Sequence, residues 1–275
     1  MYKENPKTAN SGIICAIPQT GPCPNECPDC FFQSGRSYLE PLADNLPNMP
    51  SAAQAYGRIV RVNDGNDSNV CRQKVINDTA IYRDRFFNTA IPRDLDSFPG
   101  PVVLTVNPGK MTDVDFHIID PIPANLMFVR ARVNTWNLGL IDKIINDYSQ
   151  REIPIVLTFM AYFDESIPSD HKHFYTFRKR TLNEYWAITT RGWQAVMKWY
   201  ATNKWVHSCG KIEGEMGDTH CRFCGNCTRE FYVTREKMKL ADAQEKERER
   251  AGHICKCHEK GLTPDHECSG DSCHR

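Results

Sequence analysis

Residues 126–134 read LMFVRARVN, and their alternation decides the fold class. In an extended strand successive side chains point to opposite faces. The odd-numbered positions are all apolar, whereas the even-numbered positions end in Arg130, Arg132 and Asn134. A strand in a layered α/β protein packs its apolar face against helices. We therefore expect both arginines to point into the lumen of a curved parallel sheet.

Similar short runs rich in Val and Ile, bounded by Gly, Pro, Asn or Asp, flank this strand. They occupy 12–17, 58–63, 102–107 and 155–160, with a further strand at 185–189 or 204–207. Helical spacing marks 70–87 and Leu138–Gln150 between them. This alternation predicts an α/β fold, a partial (β/α)6 barrel of parallel strands, with an α+β domain lacking closed curvature as the alternative.

The predicted lumen is polar. The same alternation places Arg61 with Asn63, and Thr105 with Asn107, on one face of their strands. Arginines that form ion pairs inside the barrel are one explanation, because a buried charge needs a partner. Binding of a ligand by these side chains is the other.

Composition excludes several classes of protein. The chain has 275 residues, and its 34 Lys and Arg balance 34 Asp and Glu. This balance gives no basic surface for nucleic acid or anionic membranes. The sequence also lacks a transmembrane-length apolar run and a signal-peptide pattern. We expect a soluble, cytoplasmic protein that binds neither membranes nor nucleic acid.

Cysteine usage points to metal. The chain contains 13 cysteines without an export signal, and in a reducing compartment such residues are more often metal ligands than disulfides. Two isolated ones, Cys15 and Cys71, are predicted to be buried thiols. The remainder fall into a group near the amino end and two groups after residue 208.

The first group is CPNECPDC, residues 23–30, which follows the first predicted strand. Its thiols Cys23, Cys27 and Cys30 suit three irons of a cubane cluster whose fourth iron keeps an open position. A zinc site completed by Cys15, or three free thiols, are the alternatives.

This Cys-x3-Cys-x2-Cys motif after the first strand of an α/β repeat resembles the radical SAM superfamily, over about residues 10–207. The resemblance implies a partial barrel with a 4Fe–4S cluster on Cys23, Cys27 and Cys30, whose open iron chelates S-adenosylmethionine. It further implies reductive cleavage to a 5′-deoxyadenosyl radical that abstracts hydrogen from substrate. A donor such as flavodoxin or ferredoxin would supply the electron.

The resemblance also implies cofactor contacts at two places. The turn after the second strand would meet the methionyl amine, through Asp64, Gly65, Asn66 and Asp67. The end of the strand counted as the fourth would contact the ribose and carboxylate through Arg130, Arg132 and Asn134, with Asn107 beside them. Since one carboxylate needs only one cation, the spare arginine predicts an anionic small-molecule or nucleotide-like substrate.

One departure from the family concerns adenine. The residue before the third cysteine is often aromatic, and here it is Asp29, with Phe31 or Phe32 as substitutes.

The second group is Cys209 followed by Cys221, Cys224 and Cys227 at two-residue intervals. A cysteine triplet with a remote fourth cysteine resembles ferredoxin-type ligation, and four thiolates leave no open position. A second 4Fe–4S cluster or a zinc ion is predicted, with His207 or His220 as a substitute ligand.

Three segments follow: a barrel over 1–207, a cysteine-rich metal-binding segment over 208–232, and a charged helix with a Cys/His-rich tail over 233–275. The tail predicts either a zinc knuckle or a frayed end.

The sequence therefore predicts a radical SAM enzyme acting on an unidentified substrate. A non-catalytic multi-zinc interaction module and an iron–sulfur electron-transfer protein are the alternatives.

Overall fold

The computed structural model describes residues 1–27, 30, 32, 38–107, 117–179, 184–212 and 219–259. The chain divides into two compact units, Met1–Arg235 and Glu236–Arg275. Asp29, Phe31 and the tail after residue 259 lie outside the described residues, so the predictions made for them stay predictions. In the described ranges no helix is both long enough and apolar enough to cross a bilayer.

The regular elements alternate along most of the first unit. The strands are β1 (Ile13–Ala16), β2 (Ile59–Val62), β3 (Arg85–Thr89), β4 (Val102–Val106), β5 (Leu126–Val133), β6 (Ile155–Phe159), β7 (Tyr175–Lys179), β8 (Glu184–Ile188), β9 (Val206–Ser208), β10 (Lys211–Ile212) and β11 (Thr219–His220). The helices are α1 (Leu42–Asn45), α2 (Ala52–Ala55), α3 (Arg72–Asp78), α4 (Leu138–Gln150), α5 (Thr190–Trp199) and α6 (Asn226–Glu259).

Seven strands form one sheet in the order β1-β2-β3-β4-β5-β6-β9, and every pair in it is parallel. Each strand of the sheet pairs with the strand that precedes it in this order. The sheet therefore extends in one direction and curves into a half barrel. The α/β prediction is confirmed, with seven strands in the sheet rather than six.

The additional strand is β3. The pattern over 70–87 predicts one helix, and this prediction is wrong beyond α3, which ends at Asp78. Phe86 and Phe87 are both fully buried, in two different apolar clusters. The sequence of β3, RFFNT, lacks the Val and Ile that mark the predicted strands, so the pattern does not separate it from the preceding helix.

Both candidates for the last strand are extended, but only one belongs to the sheet. β9 pairs with β6, whereas β8 pairs with β7 in a separate antiparallel hairpin. Of the isolated cysteines, Cys15 is buried as predicted. Cys71 is exposed, so the prediction of a buried thiol is wrong there.

The two faces of the sheet differ as the alternation in β5 predicts from Phe128 onward, whereas Met127 joins the inner cluster where the register with β4 shifts. On the outer face, Val129, Ala131 and Val133 join the main apolar cluster with Ile141 and Ile144 of α4. The inner face is apolar near the amino ends of the strands, where the cluster includes Ile13, Ile59, Phe86, Val103, Phe128, Val156 and Phe231 of α6. Further along the strands it carries buried polar residues, namely Arg61, Asn63, Asn88, Asn107, Arg132 and Asn134.

Phe231 therefore closes the amino-terminal part of the lumen. It is 1% exposed, and its ring centroid lies 6.5 Å from that of Phe86. We expect Phe231→Ala to lower the free energy of unfolding by about 3–5 kcal/mol, because it opens a cavity that the sheet cannot collapse into. Denaturant unfolding followed by circular dichroism measures this.

The matched control is the neighbouring aromatic residue. Tyr232 is 56% exposed, so Tyr232→Ala should change the free energy of unfolding by about 0.5 kcal/mol or less. Equal losses for the two variants would contradict the packing of Phe231 under the sheet.

Candidate functional site

The first cysteine group lies in the loop after β1, at the carboxyl edge of the parallel sheet. Cys23, Cys27 and Cys30 are all partly exposed, and the Cys30 amide donates to the Cys27 carbonyl at 3.1 Å. The carboxyl edge of a parallel α/β sheet is where such folds place their binding sites.

Burial, with smaller contributions from the charges of Asp67, Cys27 and Cys30, raises the pKa of Cys23 to about 11, although a hydrogen bond from the Asn25 backbone lowers it. Without a cation the Cys23 thiol is therefore protonated at neutral pH. A metal ion reverses this balance, because it stabilises the thiolate directly.

Asp67 ties the cysteine loop to the ends of β2 and β3. Its Oδ1 accepts from the Asn69 amide at 2.8 Å and from Thr89 Oγ1 at 2.7 Å. Its Oδ2 accepts from Asn25 Nδ2 at 2.8 Å and from the Ala90 amide at 2.7 Å. Four donors satisfy this buried carboxylate, so its evident role is to hold the loop in place.

The rest of the turn after β2 is also engaged within the chain. Asp64 forms an ion pair with Arg61 and accepts a hydrogen bond from Asn5. Asn66 Nδ2 donates to the Gly21 carbonyl at 3.0 Å. A Cβ on Gly65 would lie 2.0 Å from Phe32 Cδ2, so the ring occupies the space that makes glycine necessary.

The turn therefore packs against the chain through Asp64, Gly65, Asn66 and Asp67. Its predicted contact with the methionyl amine stays a prediction. The ring of Phe32 lies against Gly65, so Phe32 is a neighbour of this turn. Phe32 is one of the two proposed substitutes for the missing aromatic residue.

The strand carrying Arg130, Arg132 and Asn134 is the fifth of the sheet, because β3 precedes it. The expectation that it is the fourth is wrong, and Asn107 is the residue that follows the fourth strand. Asn134 is buried in the turn after β5, where its Oδ1 accepts from the Trp136 amide at 2.9 Å and its Nδ2 donates to Tyr162 Oη at 3.2 Å.

The two arginines of β5 have different surroundings. Arg130 Nη1 donates to Asn88 Oδ1 at 2.8 Å, and its guanidinium lies 5.6 Å from the centroid of the Phe128 ring. Arg130 also lines a cavity together with the second cysteine group. Arg132 does not line this cavity and is 8% exposed.

That cavity brings together all four cysteines of the second group. Its lining includes Cys209, Cys221, Cys224, Cys227, Arg61 and Arg130. The β10–β11 hairpin explains how residues 209 and 221 meet: Lys211 pairs with His220, so Cys209 and Cys221 leave the same end of the ladder. Gly225, with φ of 64°, then turns the chain so that Cys227 falls in the first turn of α6.

Positive charge from the sheet faces these sulfurs. Arg61 Nη1 lies 3.9 Å from Cys221 Sγ. A hydrogen bond from the Cys209 thiol lowers the pKa of Cys221, against burial and with help from Arg61. Burial disfavours the charged guanidinium and so lowers the pKa of Arg61. The sulfurs of Cys15 and Cys221 raise this pKa by more, so it lies above its usual value.

Arg61 confirms one explanation of the polar lumen, because it forms an ion pair inside the barrel. Its contact with Cys221 spans 160 positions of sequence, and no local pattern signals it. The contact between Arg130 and Asn88 is also not predictable, because Asn88 belongs to β3, the strand that the sequence does not reveal.

In the part of the chain that the structure describes, no three His, Cys, Asp or Glu side chains already converge as a metal ion requires. Both cysteine groups therefore need side-chain rotation to close around a metal. No family model, curated protein or solved structure matches this chain.

The role of Asp67 is testable through the cysteine loop. We expect Asp67→Asn to lower the free energy of unfolding by about 1–3 kcal/mol, because one amide nitrogen would face two donors. The loop would also open more often, so Cys23 should react faster with a thiol reagent. Asp170→Asn is the control, since that side chain is 78% exposed; unchanged labelling of Cys23 in Asp67→Asn would contradict the tethering role.

Proposed function

We propose that this chain is a radical SAM enzyme whose 4Fe–4S cluster is held by Cys23, Cys27 and Cys30. The observation that carries the proposal is the position of these thiols, in one loop after the first strand of a parallel half barrel, at its carboxyl edge. Their spacing in the sequence supplies the link to this chemistry.

The donor set fits such a cluster. Three thiols provide three ligands, and the loop between Cys23 and Cys27 is fixed to the sheet by Asn25 and Asp67. A cluster bound there would supply the electron that cleaves S-adenosylmethionine and so generates the radical that abstracts hydrogen. The protein binds, orients and shields these groups.

Inside the barrel, the chain forms an apolar floor near the amino ends of the strands and a polar lumen toward their carboxyl ends. Phe231 and the apolar residues around it exclude water from the amino-terminal part of the barrel. Arg132 and Asn107 lie on the inner face nearer the carboxyl edge, 8% and 9% exposed. Since Arg130 faces the second cysteine group, Arg132 is the candidate cation for an anionic substrate group.

The test needs no knowledge of the substrate. Protein purified and reconstituted without oxygen is mixed with S-adenosylmethionine and dithionite, and 5′-deoxyadenosine is measured. We expect release by the natural chain and background levels for Cys27→Ala, which removes one of the three cluster ligands. Cys71→Ser is the matched control, because Cys71 is exposed and outside both cysteine groups.

The alternatives give different results. An iron–sulfur protein that releases no 5′-deoxyadenosine is an electron carrier, and a colourless zinc protein is a binding module. Equal release from the natural chain and from Cys27→Ala would also contradict the proposal.

A further inference from the structure

We propose that Cys209, Cys221, Cys224 and Cys227 bind a single tetrahedral zinc ion, with Arg61 and Arg130 as its counter-charges. This site is separate from the Cys23 loop, and its existence does not depend on radical chemistry.

The positions of the sulfurs suit a closed site. The β10–β11 hairpin leaves Cys209 and Cys221 at the same end of its ladder, and both line the cavity. Cys224 Sγ donates to the Cys221 carbonyl at 3.4 Å, so the third sulfur belongs to the same turn. All four residues line one cavity, so rotation of their side chains toward its centre would place four thiolates around one ion.

The size of the cavity favours one ion over a cluster. The space open inside it is about 30 Å³, room for about two water molecules, since one needs about 10–15 Å³ by the same measure. A zinc ion fits this space, whereas a cubane adds four irons and four sulfides. The same lining includes Ile13, Phe128 and Val156 of the packed sheet, which would have to move to admit the larger group.

Nearby cations offset the charge of such a site in part, since Arg61 also pairs with Asp64. A zinc ion with four thiolates carries a net charge of −2, which is costly to bury without partners. Two guanidiniums line the cavity, and the Arg61 side chain is only 9% exposed. The Nη1 group of Arg61 lies within donor range of Cys221 Sγ, and Arg130 approaches from the neighbouring part of the sheet.

The role that follows is structural. Asn226 Nδ2 donates to the Ser208 carbonyl at 2.7 Å, which joins the start of α6 to the end of β9 beside Cys209. Zinc bound to Cys227 would hold the first turns of α6 against the sheet, and with them Phe231 in the floor of the lumen. The amino end of a helix further favours a thiolate at that position.

The primary experiment measures metal by mass spectrometry in the natural chain and in three variants purified without oxygen. We expect about one zinc per chain in the natural protein, in Cys27→Ala and in Cys71→Ser, and less than about a tenth of that in Cys224→Ser. Iron and sulfide retained by Cys27→Ala and lost on adding Cys224→Ser would overturn the zinc assignment, as would absence of zinc from the natural protein.

A second measurement uses the natural chain alone and so does not depend on the folding of Cys224→Ser. X-ray absorption at the zinc edge should show four sulfur neighbours at ~2.3 Å. Nitrogen or oxygen neighbours would overturn the four-thiolate site, and they would leave the proposal for the Cys23 loop untouched.

The counter-charge is tested by the rate at which EDTA removes zinc. We expect Arg130→Met to lose zinc about tenfold faster, because a cation beside the thiolates is removed. Arg83→Met is the control, since Arg83 is exposed. An unchanged rate in Arg130→Met would show that this arginine does not neutralise the site.

Discussion

Arg61 is a cation on the inner face of the sheet and is only 7% exposed. Its buried charge must therefore be neutralised by neighbouring groups. Asp64 meets one side of the guanidinium and Cys221 the other. Asp64 belongs to the turn whose Asp67 holds the loop of the first cysteine group. A single buried charge therefore stands between the loop proposed to hold the cluster and the cavity proposed to hold zinc.

The inner face of the sheet on which Arg61 lies is divided into an apolar part and a polar part. Near the amino ends of the strands, apolar side chains close around Phe231 and leave a dry floor. Toward the carboxyl edge the same face carries Asn63, Arg132 and Asn134, all buried. We propose that ligand binding takes place at that end of the barrel, where the Cys23 loop lies, and that zinc at the second cysteine group keeps the floor in place.

The sequence predicts the strands that contain runs of Val and Ile, including β1 and β6, which are apolar on both faces. β5 matches its predicted bounds because its arginines mark the inner face unambiguously. β3 escapes prediction because its sequence, RFFNT, has no Val or Ile and continues the helical spacing over 70–87. The role of Asp67 is hidden for a different reason: three of its four donors come from Asn25, Thr89 and Ala90, which are distant in sequence. Residue types and spacing select candidate ligands, but only the fold shows which charges already have partners.

The choice of arginine at position 61 follows from geometry. Its planar guanidinium directs Nη2 at Asp64 and Nη1 at Cys221, so one side chain serves two acceptors in different directions. Lysine carries the same charge on a single nitrogen and lacks this fixed fork. It would also have to be buried as an ammonium, which is more strongly hydrated than a guanidinium. An acceptor left without its donor in a buried site is costly, so both sides of the lumen depend on the fork. The charge on the cysteine side thus helps to fix the orientation of Asp64, and through it the turn that supports the loop of Cys23.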